Sequence, residues 1–268
     1  MEIKLIACDL DGTLLDSRGR LSPENLDAIR RMTDKGYCFV PTSGRNREQI
    51  PQALQQFPGI RYLITLSGAC VTQLPEGKAL FRHPLSREHA DRLLRIGKQQ
   101  GAAVLLYTPE GVLLEHGALE QRQDRALLED AIGICRPVGD AQAFCLAKDV
   151  QVEKAVFFCR DAAQETRLHQ ALDDGTFQLC VSAENCLEVT ARGIHKATGI
   201  RALLLRLKLL PEQVLTIGDS GNDVSMLELT PNSFAVANAM PEAKRAARHL
   251  TVSNDQHVAL RIARLLGI

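Results

Sequence analysis

The 268-residue sequence lacks an excess of charge of either sign. It has 32 Lys and Arg against 32 Asp and Glu, which gives a formal net charge of zero at pH 7. Proteins whose main ligand is a nucleic acid or an anionic membrane surface usually carry a basic excess. The balance therefore argues against both classes of partner. The sequence also has no apolar run close to the roughly 20 residues that span a bilayer, so we expect no membrane-spanning segment.

The cysteines lack the spacings of metal-binding motifs. None of the eight are arranged as Cys-x-x-Cys, and no histidine pair lies near them at zinc-finger spacing. Several lie in apolar runs such as Ile6-Ala7-Cys8, where cysteine behaves as a small hydrophobe. We therefore expect buried, reduced thiols and no disulfide framework. The first residues lead directly into a strand pattern without a signal-peptide layout, so we expect a cytoplasmic protein.

Both ends of the sequence show the alternation of strands and helices that is typical of a doubly wound α/β fold. Ser22-Pro23-Glu24 has the N-cap, first-turn proline and acid of a helix start, and this helix is predicted to end at Lys35-Gly36. Apolar runs predict strands at 3–8, 37–41, 62–66, 214–217, 234–236 and 250–252.

Residues 84–188 depart from this pattern. Predicted helices and strands alternate in them: helices at 88–99, 120–132 and 163–172, and strands at 104–107 and 154–158. With no long linker on either side, the simplest account is a second α/β domain inserted into the first. We therefore predict a Rossmann-like doubly wound parallel sheet core formed by residues 1–83 and 189–268, with the inserted domain at 84–188.

Polar residues follow several of the predicted core strands, and the carboxyl ends of parallel strands share one edge of a sheet. We expect five side chains to meet there: Asp9, Asp11, Ser43, Asp219 and Asp223. Carboxylates gathered in one pocket repel each other, and oxygen ligands without His or Cys suit Mg²⁺. In such a site Asp9 can attack phosphorus, while Asp11 can protonate the leaving oxygen. The Ser43 hydroxyl, the Gly44 amide and a lysine can bind the transferring phosphoryl group.

Four segments resemble the motifs of the haloacid dehalogenase (HAD) superfamily of phosphatases, in the same order along the chain: Asp9-Leu10-Asp11-Gly12-Thr13, Thr42-Ser43-Gly44-Arg45, Gly193-Ile194-His195-Lys196 and Gly218-Asp219-Ser220-Gly221-Asn222-Asp223. The long insert and the tail Ala237-Asn238-Ala239-Met240-Pro241 resemble the Cof-type subfamily, which has a large α/β cap. The resemblance implies a magnesium-dependent phosphatase acting on a small phosphorylated molecule, with residues 84–188 as the cap.

The resemblance also implies a role for each matching residue. Asp9 is expected to be the nucleophile and a metal ligand, and Asp11 the general acid and base, with its backbone carbonyl on the metal. The expected further metal ligands are Asp219 and Asp223. The expected phosphate-binding groups are the Leu10 amide, Ser43, Gly44, Lys196 and Asn222.

The sequence departs from the family pattern at three places. Ser67-Gly68-Ala69 stands where the family often has Asn-Gly-Ala, Ala197 replaces a common Gly after Lys196, and a usual Gly is missing around His257. Two histidines, His195 and His257, are expected to be structural or exposed because this chemistry needs no imidazole.

Other functions stay open on the sequence alone. A phosphomutase would use the same aspartyl-phosphate, and a non-catalytic phospho-ligand-binding protein would keep the same pocket. A receiver domain fits poorly, because the chain is too long. Arg45 is expected either to be solvated or to support its loop or the substrate.

Overall fold

The computed structural model describes residues 2–115 and 135–268. The chain divides into two compact units, one formed by Met1–Phe81 with His195–Ile268 and the other by Arg82–Ile194. These boundaries lie within six residues of those predicted from the sequence, whose assignment as core and cap domains stays a prediction. The predicted helix at 120–132 lies outside the described residues.

The main sheet of the first unit has five strands, all of them parallel. Its spatial order is β14-β13-β12-β1-β2. The strands are β1 (Leu5–Cys8), β2 (Cys38–Pro41), β12 (Val214–Gly218), β13 (Asn232–Ala235) and β14 (His249–Leu250). The interior strand β1 therefore pairs with one strand from each end of the chain, β12 and β2, and the predicted parallel α/β core is confirmed.

Strand β1 is buried on both of its faces. Ile6 and Cys8 belong to one apolar cluster with Ile29, while Leu5 and Ala7 belong to another with Ile200. Alternate residues of a strand point to opposite sides of a sheet. The side chains of β1 therefore pack into an apolar cluster on each face of the sheet. For this reason the strand is apolar throughout and does not alternate apolar with polar residues.

A second sheet of three strands, in the order β3-β4-β5, completes the strands of this unit. These strands are β3 (Tyr62–Thr65), β4 (Cys70–Gln73) and β5 (Lys78–Arg82). Strand β3 pairs antiparallel with β4, and a single parallel bridge, Thr42 to Ile64, joins it to the end of β2. The strand predicted at 62–66 is therefore present, but it belongs to a second sheet, in which it pairs antiparallel with β4.

Helices cover both faces of the main sheet. They are Pro23–Asp34, Gln52–Gln55, Lys196–Leu207, Val224–Glu228, Pro241–Ala246 and Val258–Leu265. The first begins as predicted, because the Ser22 side chain accepts a hydrogen bond from the Asn25 amide at 3.2 Å and Pro23 occupies the first turn.

The second unit contains one mixed sheet of six strands in the order β10-β11-β9-β6-β7-β8. Its strands are β6 (Ala103–Thr108), β7 (Gly111–Glu115), β8 (Cys135–Val138), β9 (Lys154–Phe158), β10 (Phe177–Ala183) and β11 (Cys186–Ala191). Its described helices are Arg87–Gln100, Ala141–Lys148 and Ala162–Leu172. The strand predicted at 154–158 has the predicted bounds. The helix predicted at 88–99 is longer by one residue at each end, and the helix predicted at 163–172 begins one residue earlier.

The eight cysteines, all of them among the described residues, are present as thiols. Five are buried, while Cys135, Cys145 and Cys180 are partly exposed. Within residues 2–115 and 135–268, no helix is both long and apolar enough to cross a membrane.

Candidate active site

The loop after β1 begins with a buried carboxylate. Asp9 is 4% exposed, and the chain then turns tightly so that the Leu15 amide donates to the Leu10 carbonyl at 2.9 Å. Gly12 has a φ of +72°, a left-handed conformation that favours glycine. A Cβ at this position would also collide with the Asp219 carboxylate. Gly12 therefore allows the first loop to approach the loop that follows β12.

A buried lysine joins two of the predicted acids. Lys196 is the first residue of its helix and is fully buried, and its Nζ lies 2.5 Å from Asp9 Oδ1 and 2.6 Å from Asp223 Oδ1. The three residues come from three separate motifs, and the fold brings their side chains into contact. In this structure the ammonium group predicted to bind phosphate is paired with carboxylates.

Two glycines let the Lys196 helix come close to the loop after β3. Gly68 has a φ of +96°, and a Cβ on it would collide with the carbonyl oxygen of His195. A Cβ on Gly199 would lie 2.6 Å from Ile64 Cγ2 and 3.2 Å from Gly68 Cα. Larger residues at either position would push the first turn of the helix, and with it Lys196, away from the sheet edge.

The loop after β12 is organised by Asp223. Its Oδ2 accepts hydrogen bonds from the Asp219 amide at 2.9 Å and the Ser220 amide at 3.1 Å. Asp219 in turn accepts a hydrogen bond at Oδ1 from the Thr13 hydroxyl at 3.0 Å. Asp223 therefore uses one oxygen to hold the backbone of its own loop and the other to contact Lys196.

The electrostatics of the cluster favour a further cation. Burial and the charge of Asp223 raise the pKa of Asp9 well above its ordinary value, against the opposing effect of Lys196. Burial and Asp223 also raise the pKa of Asp219 to about 6. For Lys196, burial lowers the pKa, but the charges of Asp223 and Asp9 outweigh it and the pKa is raised. The charge of Lys196 thus does not offset the effects of burial and of the neighbouring acids on the pKa values of Asp9 and Asp219.

The donor set fits a hard divalent ion. Carboxylate oxygens of Asp9, Asp219 and Asp223 all lie within 4.8 Å of one another. Three ionised carboxylates and one ammonium carry two negative charges in excess, which one divalent cation would balance. Oxygen-only ligands of this kind suit Mg²⁺ or Ca²⁺ better than Zn²⁺. The Asp11 carboxylate does not belong to this group of three among the described residues.

Asp11 instead pairs with an arginine. Its two carboxylate oxygens accept hydrogen bonds from Arg45, Oδ1 from Nη2 at 2.5 Å and Oδ2 from Nε at 2.8 Å. The Asp11 side chain is half exposed. The role predicted for its backbone carbonyl as a metal ligand stays a prediction.

Apart from Lys196, the predicted phosphate-binding groups lie in the loops after β1, β2 and β12. Ser43 is fully buried just after β2, its amide donates to the Ile64 carbonyl at 2.9 Å, and its hydroxyl accepts from the Arg45 amide at 3.2 Å. Gly44 is partly exposed next to it, and Leu10 is buried next to Asp9. Asn222 lies in the turn Gly221–Asp223, where its Oδ1 accepts from the Ser220 hydroxyl at 3.1 Å. Their roles toward a phosphate stay predictions.

Sequence reasoning missed three side chains that hold the site together. Thr13 donates to Asp219 and so joins two loops of the site. Arg45 contacts Asp11, and the Asn238 amide group donates to the Gly12 carbonyl at 2.8 Å. The tail segment also reaches the fourth motif, since the Met240 amide donates to the Asp219 carbonyl at 2.7 Å. The position of Asn238 in the Cof-like tail was the one signal available for it.

Two of the three departures from the family pattern fall on left-handed residues. Ser67 has a φ of +54° and His257 a φ of +56°, a region in which asparagine and glycine are the better tolerated residues. The His257 ring nitrogen Nδ1 lies 3.0 Å from the Ser22 hydroxyl, which helps to hold this strained conformation. Ala197 is buried in the first turn of the Lys196 helix. His195 Nδ1 lies 3.3 Å from the Thr198 hydroxyl in the first turn of the Lys196 helix.

Comparison with known proteins agrees with this geometry. The model of the haloacid dehalogenase-like hydrolase family matches residues 6–262. An HMP-PP phosphatase of Klebsiella pneumoniae (strain 342) is 29% identical over 256 residues, or 94% of this chain and 90% of that protein. The phosphatase YwpJ of Bacillus subtilis (strain 168) is 26% identical over 282 residues, or 95% of this chain and 96% of that protein. A crystal structure of a haloacid dehalogenase-like hydrolase from Bacteroides thetaiotaomicron has a TM-score of 0.82 and 25% identity, and covers 99% of both chains.

Proposed function

The chain belongs to the haloacid dehalogenase-like hydrolases, as a Cof-type phosphatase, and from this we propose that it hydrolyses a small-molecule phosphomonoester with Mg²⁺ through an aspartyl-phosphate on Asp9. The observation that carries the proposal is the environment of Asp9. This carboxylate lies at the carboxyl end of β1, an interior strand of the main sheet. It is buried, 2.5 Å from the Lys196 ammonium group and grouped with two further acids.

In the first step a carboxylate oxygen of Asp9 forms a bond to phosphorus as the bond from phosphorus to the ester oxygen breaks. Asp11 gives its proton to that leaving oxygen, and an alcohol departs. In the second step a water oxygen attacks phosphorus, the bond from phosphorus to Asp9 breaks, and Asp11 takes a proton from the water. The net change is one ester and one water converted into one alcohol and one phosphate.

The remaining residues stabilise charge. Lys196, Ser43, the amides of Gly44 and Leu10, and Asn222 would hold the phosphoryl oxygens, on which negative charge is spread during transfer. Asp9, Asp219 and Asp223, together with the Asp11 carbonyl, would hold Mg²⁺. When bound, this ion supplies the positive charge that lets the acids ionise together and lets an anionic phosphate enter beside them.

For the substrate we propose a sugar phosphate or a phosphorylated cofactor. The Klebsiella relative is named an HMP-PP phosphatase, which supports a small phosphorylated molecule. We also propose that residues 84–188 act as the cap that selects it. No feature among the described residues favours a phosphomutase over a hydrolase.

The test is release of inorganic phosphate from p-nitrophenyl phosphate and from a panel of metabolite phosphates, with and without Mg²⁺. We expect release by the wild type that requires Mg²⁺ and that Asp9→Asn abolishes. Asn keeps the shape of the side chain but has no charged oxygen to attack phosphorus. Conversion of a substrate into an isomeric phosphate ester without free phosphate would favour a mutase. A wild type that releases nothing from the whole panel would overturn the proposal.

A further inference from the structure

We propose that Arg45 is a positioning residue for Asp11, holding the carboxylate that exchanges protons with the leaving group and with water. The inference rests on the proposed function, and it adds a residue outside the predicted catalytic set. Two parallel hydrogen bonds join the guanidinium group to both carboxylate oxygens, at 2.5 and 2.8 Å. This fork-to-fork geometry fixes orientation as well as distance, which a single contact does not.

Arg45 is itself anchored at several points. Its Nη1 donates to the Gln49 carbonyl at 3.0 Å, its amide donates to the Ser43 hydroxyl at 3.2 Å, and its carbonyl accepts from the Leu66 amide at 2.9 Å. The arginine is therefore tied to the loop after β2 and to the loop after β3. Its side chain is 29% exposed, which leaves it better held than the Asp11 side chain at 52%.

Asp11 has little else to fix it. It precedes Gly12, whose left-handed φ gives the loop its turn, and half of its side chain faces solvent. A half-exposed aspartate without a partner would sample several rotamers, and only some place the carboxyl group within reach of a proton acceptor. The ion pair with Arg45 reduces the number of rotamers that the Asp11 side chain samples. Ser43 and Arg45 lie in the same loop. This loop therefore carries both the hydroxyl predicted to bind the phosphoryl group and the arginine that orients Asp11.

A positioned acid matters most when the leaving group is a poor one. Alkyl alcohols need a proton as the ester bond breaks, whereas nitrophenolates leave well without one. Loss of Arg45 should therefore slow the reaction of alkyl phosphates more than that of nitrophenyl phosphates. A residue that only supports the fold, or only binds the phosphoryl group, would slow both alike.

The experiment compares kcat/KM of the wild type, Arg45→Met, Arg45→Lys and the control Arg47→Met in saturating Mg²⁺. The substrates are p-nitrophenyl phosphate and the most reactive alkyl phosphate of the metabolite panel. Arg47 lies on the same loop and contacts Gln55, away from the acids. For Arg45→Met we expect a loss of about 10- to 100-fold on the alkyl phosphate and of less than about threefold on the aryl phosphate. Arg45→Lys should recover part of the loss, and so should free guanidinium added to Arg45→Met below denaturing concentration.

An equal loss on both substrates, with no rescue by guanidinium, would overturn the role of Arg45 while leaving the proposed function intact. A wild type without phosphatase activity would overturn both. If Arg45→Met is recovered unfolded, the test uses Arg45→Lys, in which a single ammonium keeps the charge but cannot make both hydrogen bonds. A larger loss of kcat/KM on the alkyl phosphate than on the aryl phosphate would then support the role of Arg45, and equal losses would overturn it.

Discussion

The Thr13 hydroxyl donates a hydrogen bond to Asp219 Oδ1 at 3.0 Å, and so joins the first and fourth motifs directly. Thr13 is fully buried, so no water is free to take its place. Asp219 is also one of the three grouped carboxylates. This contact makes the orientation of a proposed metal ligand depend on a residue four positions after the nucleophile.

Replacing Thr13 by Val removes the donor and keeps the shape of the side chain. We expect Thr13→Val to raise the Mg²⁺ concentration for half-maximal phosphate release by about 10-fold, because partners that orient metal ligands contribute on this scale. A Mg²⁺ titration of activity measures it, with Thr13→Ser as the variant that keeps the hydroxyl. Equal half-saturation for the Val and Ser variants would show that the contact does not orient Asp219.

Lys196 should stabilise the metal-free protein strongly. Lys196→Met leaves Asp9 and Asp223 buried without their shared counter-charge, and removing one partner of a buried ion pair costs about 3–5 kcal/mol. We expect the free energy of unfolding in urea to fall by that amount in the presence of a chelator, and to recover in part when Mg²⁺ is added. The exposed Lys244→Met is the control. If Lys196→Met loses no more unfolding free energy than Lys244→Met, the ion pairs of Lys196 with Asp9 and Asp223 do not stabilise the metal-free protein.

The stability of the metal-free protein should depend on the ionisation of Asp219. Burial and Asp223 raise its pKa to about 6, and a carboxyl with a raised pKa favours the fold while it is protonated. That contribution is present below about pH 4 and is lost as the pH rises through about 6. Relative to Asp219→Asn, the wild type should therefore lose on the order of 2 kcal/mol of unfolding free energy between about pH 4 and pH 7. Urea unfolding in the presence of a chelator across this pH range measures the loss, with the surface variant Asp34→Asn as the control. If the unfolding free energies of the wild type and Asp219→Asn change in parallel with pH, the pKa of Asp219 is not raised.

His257 offers a test of backbone strain away from the reacting atoms. Both His257→Gly and His257→Ala lose the contact with Ser22, but only glycine relieves the left-handed conformation at φ +56°. We expect the Gly variant to be more stable than the Ala variant by about 1 kcal/mol. Urea unfolding of the two proteins gives the difference directly. An Ala variant as stable as the Gly variant would mean that the residue relaxes to another conformation.

Much of the site could be predicted because its elements are local in sequence. Asp9, Asp219 and Ser43 each follow a short apolar run, and parallel strands bring such ends to one edge whatever the details of packing. The helix after Ser22 has an N-cap, a proline and an acid within three residues. Local patterns of this kind can be recognised in the sequence without knowing which distant residues pack against them.

What could not be predicted depends on distant contacts. Nothing near Arg45 in the sequence states that its long side chain reaches Asp11, 34 positions earlier. The close approach of Gly68 to the His195 carbonyl depends on how a helix from the far end of the chain packs. The antiparallel pairing of β3 with β4, in a sheet of its own, likewise depends on its neighbour and not on its apolar pattern.

The spatial order of the main sheet has a consequence for synthesis on the ribosome. Strand β1 emerges first, but β12, its partner on one side, is made roughly 200 residues later, which at about 5–20 residues per second takes about 10–40 s. During that interval β2 can pair with one edge of β1 while the other edge and its apolar side chains stay without their native partner. Translation of β12 thus completes the pairing of a strand made much earlier, and a nascent chain halted between the two is a natural client for chaperones that bind exposed strand edges.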